Sequence, residues 1–226
     1  MKLVVITGCL GFIGSHITEL CLKKGWKVFG IDSETYAANV RLKDHFKSLY
    51  GDNFEYLNKK IEKLNYLPDC DYVINTAAET HVGNSIIDSD NFIMSNILGV
   101  QNLLKLIKQK PNNTFRRPIL FHISTDEVYG DIEEGSHNEK TLLNPSNPYS
   151  SSKAAADLLI TSWARTYGIE YVILRPTNNY GIYQYPEKLI PLSVRALDRG
   201  KKIRLHNNGE PIRNWLHVQD TASSVI

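Results

Sequence analysis

Leu3-Val4-Val5-Ile6-Thr7-Gly8-Cys9-Leu10-Gly11-Phe12-Ile13-Gly14 runs from a short apolar, β-branched stretch into glycines at positions 8, 11 and 14. Residues 3–6 predict a buried strand, and residues 14–24 predict a helix stopped by Gly25. Between a strand and a helix, glycines in this order give a tight turn, close backbone approach to a pyrophosphate, and close packing of helix on strand. The helix N-terminus adds unpaired N–H groups and the positive end of a dipole. Asp32 ends the next predicted strand, 18 residues beyond Gly14. Its carboxylate can accept hydrogen bonds from a ribose hydroxyl and would repel a 2′-phosphate, so the pattern favours NAD over NADP. Cys9 reads as a small buried residue of the loop.

The same alternation continues along the chain. Further strands are predicted over residues 27–31, 54–57, 72–75, 119–124 and 170–174. Helices are predicted over 93–108 and 150–167, the latter with Asn147 and Pro148 as start signals and Gly168 as a stop. Strands alternating with helices predict βαβ units and a parallel sheet covered on both faces. Beyond Arg175 the pattern loosens. There a helix over 190–198, a short strand over 203–206 and a helix starting near Asp220 are predicted. The expectation is an α/β chain: residues 1–175 form a Rossmann-type, doubly wound nucleotide-binding domain, and residues 176–226 the start of an incomplete substrate-binding lobe.

The 226 residues suffice for one sizeable core. A net charge of +2, with Lys and Arg scattered along the chain, makes no case for nucleic acid or a membrane surface. Cys9, Cys21 and Cys70 have no metal-ligand spacing, which reads as a reduced, cytoplasmic protein without a metal site. The apolar run after Met1 is interrupted by Thr7-Gly8, so a first strand is a better reading than a leader peptide.

Two further segments carry chemistry. Tyr149 and Lys153 lie four residues apart on one predicted helix and share a face. A phenol with a pKa of about 10 is a poor base near neutrality. An adjacent ammonium favours the phenolate and makes Tyr149 a base for a sugar or alcohol hydroxyl. Ile123-Ser124-Thr125-Asp126-Glu127-Val128-Tyr129-Gly130 adds two neighbouring carboxyl groups that a simple dehydrogenase does not need. Burial and like charge tend to separate two such pKa values, giving one acid and one base. Successive strand residues point to opposite faces, so the backbone must turn at Asp126-Glu127 for both to reach one pocket.

The glycine loop, Asn75-Thr76-Ala77-Ala78, Ser124-Thr125, and Tyr149 with Lys153 resemble the extended short-chain dehydrogenase/reductase superfamily. Within it the chain is similar to the nucleotide-sugar 4,6-dehydratases, above all those acting on dTDP-glucose. Asp32 to Asn39, Ala77 to Val82, Ser124 to Gly130, Asn178 to Gly181, Tyr185 to Pro191 and Arg213 to Val218 carry the likeness.

The resemblance implies an NAD-dependent lyase: transient oxidation at the sugar C4, loss of water across C5–C6 and hydride return to C6. Tyr149 would take the C4 hydroxyl proton, supported by Lys153, and Thr125 would hydrogen-bond the C4 oxygen. Glu127 would remove the C5 proton, and Asp126 would protonate the departing C6 hydroxyl. It further implies cofactor contacts from Gly8, Gly11, Phe12, Ile13, Gly14, Asp32, Ser33, Thr35, Ile61, Thr76, Ala77, Ala78, Tyr149, Lys153 and Asn178. Substrate contacts fall to Thr80, Thr125, Asn178, Asn179, Lys188, Leu189 and Arg213. A homodimer built on the helices over 93–108 and 150–167 is implied as well.

His81 and His122 read as structural residues. Three positions depart from the family pattern: Lys60 stands before Ile61 where an adenine-touching Asp is usual, and Gly83 and Asn214 stand where Asp is usual. Two alternatives remain. One is a dehydratase or 4-epimerase acting on a UDP- or GDP-sugar. The other is a truncated, non-catalytic NAD-binding paralogue. The carboxyl pair argues against an epimerase, which needs no acid and base for water loss.

Overall fold

β1 (Leu3–Thr7) is buried from its second residue onward, as an apolar run in the middle of a parallel sheet must be. In the computed structural model, which describes residues 1–110, 117–203, 205–210 and 212–226, it pairs in parallel with two later strands. α1 (Phe12–Lys23) follows, then β2 (Lys27–Asp32), α2 (Arg41–Tyr50), β3 (Phe54–Asn58) and β4 (Tyr72–Asn75). The next stretch is helical: α3 (Val82–Ile87), α4 (Asp90–Phe92), a π-helical turn (Ile93–Gly99) and α5 (Val100–Gln109). β5 (Ile119–Ile123), α6 (Pro148–Tyr167) and β6 (Tyr171–Leu174) complete the main layer. The six strands form one parallel sheet in the order β3-β2-β1-β4-β5-β6, the architecture the alternation predicts.

Each face of the sheet has its own apolar cluster. Val4, Ile6, Val28 and Ile74 pack with Ile17, Cys21, Leu42 and Phe46 of α1 and α2. Val5, Ile31, Val73 and Leu120 pack with Leu103, Leu104 and Ile107 of α5 and Ala156 and Ile160 of α6. α6 starts where its sequence says. The Asn147 side chain accepts from Ser150 N (2.9 Å), the Ser150 hydroxyl accepts from Asn147 N (3.2 Å), and Pro148 fills the first turn. Gly168 ends the helix at φ 67, a left-handed backbone that favours glycine.

After β6 come β7 (Asn178–Tyr180), α7 (Leu189–Asp198), β8 (Trp215–His217) and α8 (Val218–Ser223), with β7 and β8 paired in parallel. Ala222 and Val225 return to the first apolar cluster beside α1.

The structure corrects the sequence reading in several places. α2 and α3 are helices that it left unassigned. The helix predicted over 93–108 opens with a π turn, held by Asn96, which accepts from Glu79 N (2.9 Å) and donates to Glu79 O (3.0 Å) and Ser152 Oγ (2.9 Å). The strand predicted over 203–206 includes residue 204, outside the described residues. Ile203 and Leu205 lie in no strand, and a 3₁₀ turn (His206–Gly209) begins there instead.

The tightest packing is at the start of α1. A Cβ on Gly14 would strike the Gly8 carbonyl oxygen and lie 2.5 Å from Thr76 Oγ1. Gly14→Ala therefore overpacks a backbone contact, at a cost of about 1–3 kcal/mol. Thermal denaturation should show Tm falling by roughly 2–4 °C per kcal/mol lost. An unchanged Tm would show that α1 can move away freely.

Candidate active site

Because all six strands run the same way, the segments leaving their C-terminal ends gather on one side of the sheet. They enclose a cavity of about 470 Å³. Gly8, Gly11, Phe12, Ile13 and Gly14 form its wall after β1. Gly8 has φ +70; its N–H donates to Ile31 O (2.7 Å) and its carbonyl accepts from Gly11 N (3.0 Å). The loop is thus tied to β2 before α1 begins. Gly11 caps α1 with no side-chain partner, which leaves the first N–H groups to whatever the cavity holds.

Asp32, Ser33 and Thr35 line the cavity after β2, and Ile61 after β3. Asp32 is buried; its carboxylate accepts from Leu10 N (3.0 Å) and Glu34 N (2.9 Å). Burial pushes its pKa up, and those backbone donors pull it back. The carboxylate therefore ties the glycine loop while also lining the cavity. Lys59 and Lys60 also line the cavity, so the departure at residue 60 places a lysine in its wall.

Thr76, Ala77, Ala78 and Thr80 line the wall after β4, together with Glu79. Thr76 Oγ1 donates to Thr7 O (2.7 Å) and clamps β4 to the glycine loop. Burial pushes the Glu79 carboxyl up, and Lys60 acts against that. His81 caps α3, accepting from Asn84 N (3.1 Å), which agrees with its structural reading.

Thr125, Glu127 and Tyr149 face the same cavity. Thr125 has extended backbone, and a 3₁₀ turn (Asp126–Tyr129) follows immediately; the bend brings Glu127, but not Asp126, to the cavity lining. Burial pushes the Glu127 carboxyl up, Asp126 adds to it, and the Asn147 side chain, Arg213 and Lys188 pull it down. The upward push thus falls on the residue for which the resemblance implies the role of base. Asp126 is outside the cavity lining; its Oδ1 accepts from Thr125 Oγ1 (3.3 Å), and its charge acts on both Glu127 and Tyr149.

Lys153 is likewise outside the lining. Its ammonium is not among the largest influences on Tyr149. Nζ turns to the end of β5, donating to Ile123 O (2.7 Å) and lying 3.3 Å from His122 Nε2. Burial and Glu127 push the Tyr149 phenol up, with the Thr125 hydrogen bond opposing them. His122 is a buried polar link rather than a packing residue, with Nδ1 2.9 Å from Asn75 Nδ2.

Asn178, Asn179, Lys188, Leu189 and Arg213 complete the cavity from the chain beyond β6. Lys188 Nζ donates to Thr80 O (3.5 Å), and burial lowers its pKa. Gln184, Tyr185, Glu187 and Trp215 also line it, although the sequence reading gave them no role. Tyr185 and Glu187 belong to the stretch already singled out at Tyr185 to Pro191, so the segment was legible and the individual contacts were not. Tyr36 meets Tyr185 edge-on, ring centres 5.3 Å apart, and Glu187 Oε2 lies 3.9 Å from His81 Nε2.

The glycine wall, open helix N-terminus and buried acid fit a dinucleotide laid across the switch between β1 and β4. Known proteins agree with that fit. The chain is 36% identical over 231 residues to a dTDP-glucose 4,6-dehydratase of Mycolicibacterium smegmatis, covering 98% of this chain and 67% of that protein. The dTDP-glucose 4,6-dehydratase of Bacillus anthracis, solved in complex with NAD, superposes with a TM-score of 0.87 at 34% identity, covering 100% of this chain and 70% of that one. A UDP-glucuronic acid 4-epimerase of Bacillus cereus, solved with UDP-glucuronic acid and NAD, gives 0.90 at 27% identity, covering 99% and 71%. The chain therefore spans about two thirds of the length of such relatives. Residues 4–226 match the NAD dependent epimerase/dehydratase family, and the chain belongs to it.

Proposed function

We propose that this chain carries the cofactor site and catalytic groups of a nucleotide-sugar 4,6-dehydratase acting on dTDP-glucose. The observation that carries the reading is the meeting of Thr125, Glu127 and Tyr149 on the cavity that the glycine loop and Asp32 also line. Similarity to dTDP-glucose 4,6-dehydratases along nearly the whole chain supports the substrate class.

NAD bound in this cavity supplies a hydride acceptor for C4 and later a hydride donor for C6. The chain's own groups handle the protons. Tyr149 takes the C4 hydroxyl proton, and Thr125, hydrogen-bonded to the phenol, steadies the C4 oxygen. The ketone formed at C4 acidifies the proton at C5. Glu127 takes that proton, and a pKa pushed up by burial makes its ionised form a stronger base. Asp126 gives a proton to the departing C6 hydroxyl. Lys188 and Arg213 hold the diphosphate end, with Asn178, Asn179, Thr80 and Leu189 shaping the sugar pocket. Homodimerisation through the helices around α5 and α6 belongs to the same reading and is supported by exposed Ile93, Leu98 and Leu158.

In deuterium oxide, dTDP-glucose should give a 4-keto-6-deoxy product carrying deuterium at C5, because Glu127 exchanges its proton with solvent before C5 is reprotonated. Glu127→Gln should lower kcat by about 10²–10⁴-fold. A 4-epimerised sugar with its C6 hydroxyl intact would contradict the dehydratase reading.

The acid limb of the kcat profile offers a separate check. Glu127 must be ionised to act, so activity falls as pH drops through its raised pKa. Lys188 helps to hold that pKa down, so Lys188→Met should move the limb to higher pH. A limb that stays in place or moves lower would assign it to another group.

A further inference from the structure

Below the cavity, on the buried side of α6, lies a second set of ionisable groups that the proton transfers above leave unexplained. Tyr149, Lys153 and Asp157 follow one another at four-residue intervals along that face. Lys153 is 2% exposed, Asp157 1% and His122 0%, and burying charges together is costly unless they are paired.

The pairing is lopsided. Arg175 Nε donates to Asp157 Oδ2 (2.9 Å), while its NH1 donates to the Tyr129 hydroxyl (2.6 Å). Asp157 Oδ1 is 3.9 Å from His122 Nε2 and faces the Ser124 hydroxyl. Neither Oδ1 nor that hydroxyl completes a hydrogen bond of ordinary geometry. His122 in turn joins Lys153 Nζ (3.3 Å) to Asn75, whose Oδ1 accepts from Thr7 Oγ1 (2.6 Å).

Lys153 is thus faced by His122 and the Ile123 carbonyl from the end of β5 and by Asp157 on its own helix, with Ser124 and Arg175 acting on that carboxylate. Burial, then Lys153, hold the His122 pKa well below its usual value, so the imidazole is neutral near pH 7 and supplies no charge. Asp157 remains as the anion of this group.

We propose that Asp157, with one oxygen tied to Arg175 and the other open toward His122 and Lys153, is a positioning residue. It keeps Lys153 an ammonium beneath Tyr149, and Arg175 sets how much of the carboxylate's charge Lys153 feels. The proposal rests on the roles given to Tyr149 and Lys153 above, since Asp157 acts only through them. Burial brings the Lys153 pKa down to about 8, and Asp157 acts against that shift. The charge of Lys153 is therefore poised near neutrality, where one neighbouring charge decides it.

The test is a pH titration of Lys153 in the full chain by NMR with ¹⁵N-labelled lysine, the signal being assigned by its loss in Lys153→Arg. No sugar nucleotide is needed. Asp157→Asn removes the anion, so the Lys153 midpoint should fall below that of the unmodified chain. Arg175→Gln keeps a donor for Oδ2 and removes the competing cation, so the midpoint should rise. A merely structural role would disturb both variants alike. Opposite shifts support the proposal, and any other pair of results overturns it. If circular dichroism shows that Asp157→Asn does not fold, Arg175→Gln decides alone: a rise supports, and no rise overturns. Opposite shifts in a protein that forms no dehydrated product would count against the dehydratase reading and not against this one.

Discussion

At Gly14 the backbone of α1 lies so close to the Gly8 carbonyl and to Thr76 that a single methyl group has no place. That contact joins the ends of β1 and β4 to the first turn of α1, and the architecture of the site depends on it. Thr76 is bound to the carbonyl of Thr7, and Gly8 to the carbonyl of Ile31, so three neighbouring strands share one anchor. The parallel register then brings the segments after all six strands to the same edge. Gly8, Asp32, Ile61, Thr76, Thr125 and Asn178, one from behind each strand of the first six, line a single cavity.

Burial raises the cost of charge throughout that cavity, and local partners decide how each group responds. Asp32 gains two backbone donors. Glu127 gains the Asn147 amide and the more distant Lys188 and Arg213, yet burial remains the largest influence on it. Tyr149 has only Thr125 as a favourable partner among those acting on it most, with Glu127 and Asp126 opposing. The groups acting on it most thus favour the protonated phenol.

Much of this was legible in the residues. Six strands, their order of appearance, the glycine loop and the helix opening at Pro148 all follow from periodicity and from start and stop signals that the structure obeys. α2 was missed because the segment is mostly polar, with only Leu42 and Phe46 of its ten residues buried. The π turn at Ile93–Gly99 was invisible because it depends on Asn96 reaching Glu79 and Ser152, contacts distant in sequence. The spacing of Tyr149 and Lys153 correctly placed both on one helix. It could not show that the ammonium donates to the carbonyl of Ile123. The polar run Tyr149, Lys153, Asp157 was equally available, but its meaning required Arg175 and His122 to arrive from β6 and β5.

The central claim is that this site moves one hydride from C4 to C6 of the same sugar. dTDP-glucose carrying deuterium at C4 tests it most directly, with the product followed by mass spectrometry and NMR. The account predicts that the label appears at C6 of a 4-keto-6-deoxy sugar, within a single molecule. Label returned to C4 of a sugar that keeps its C6 hydroxyl would contradict it and make the site that of an epimerase.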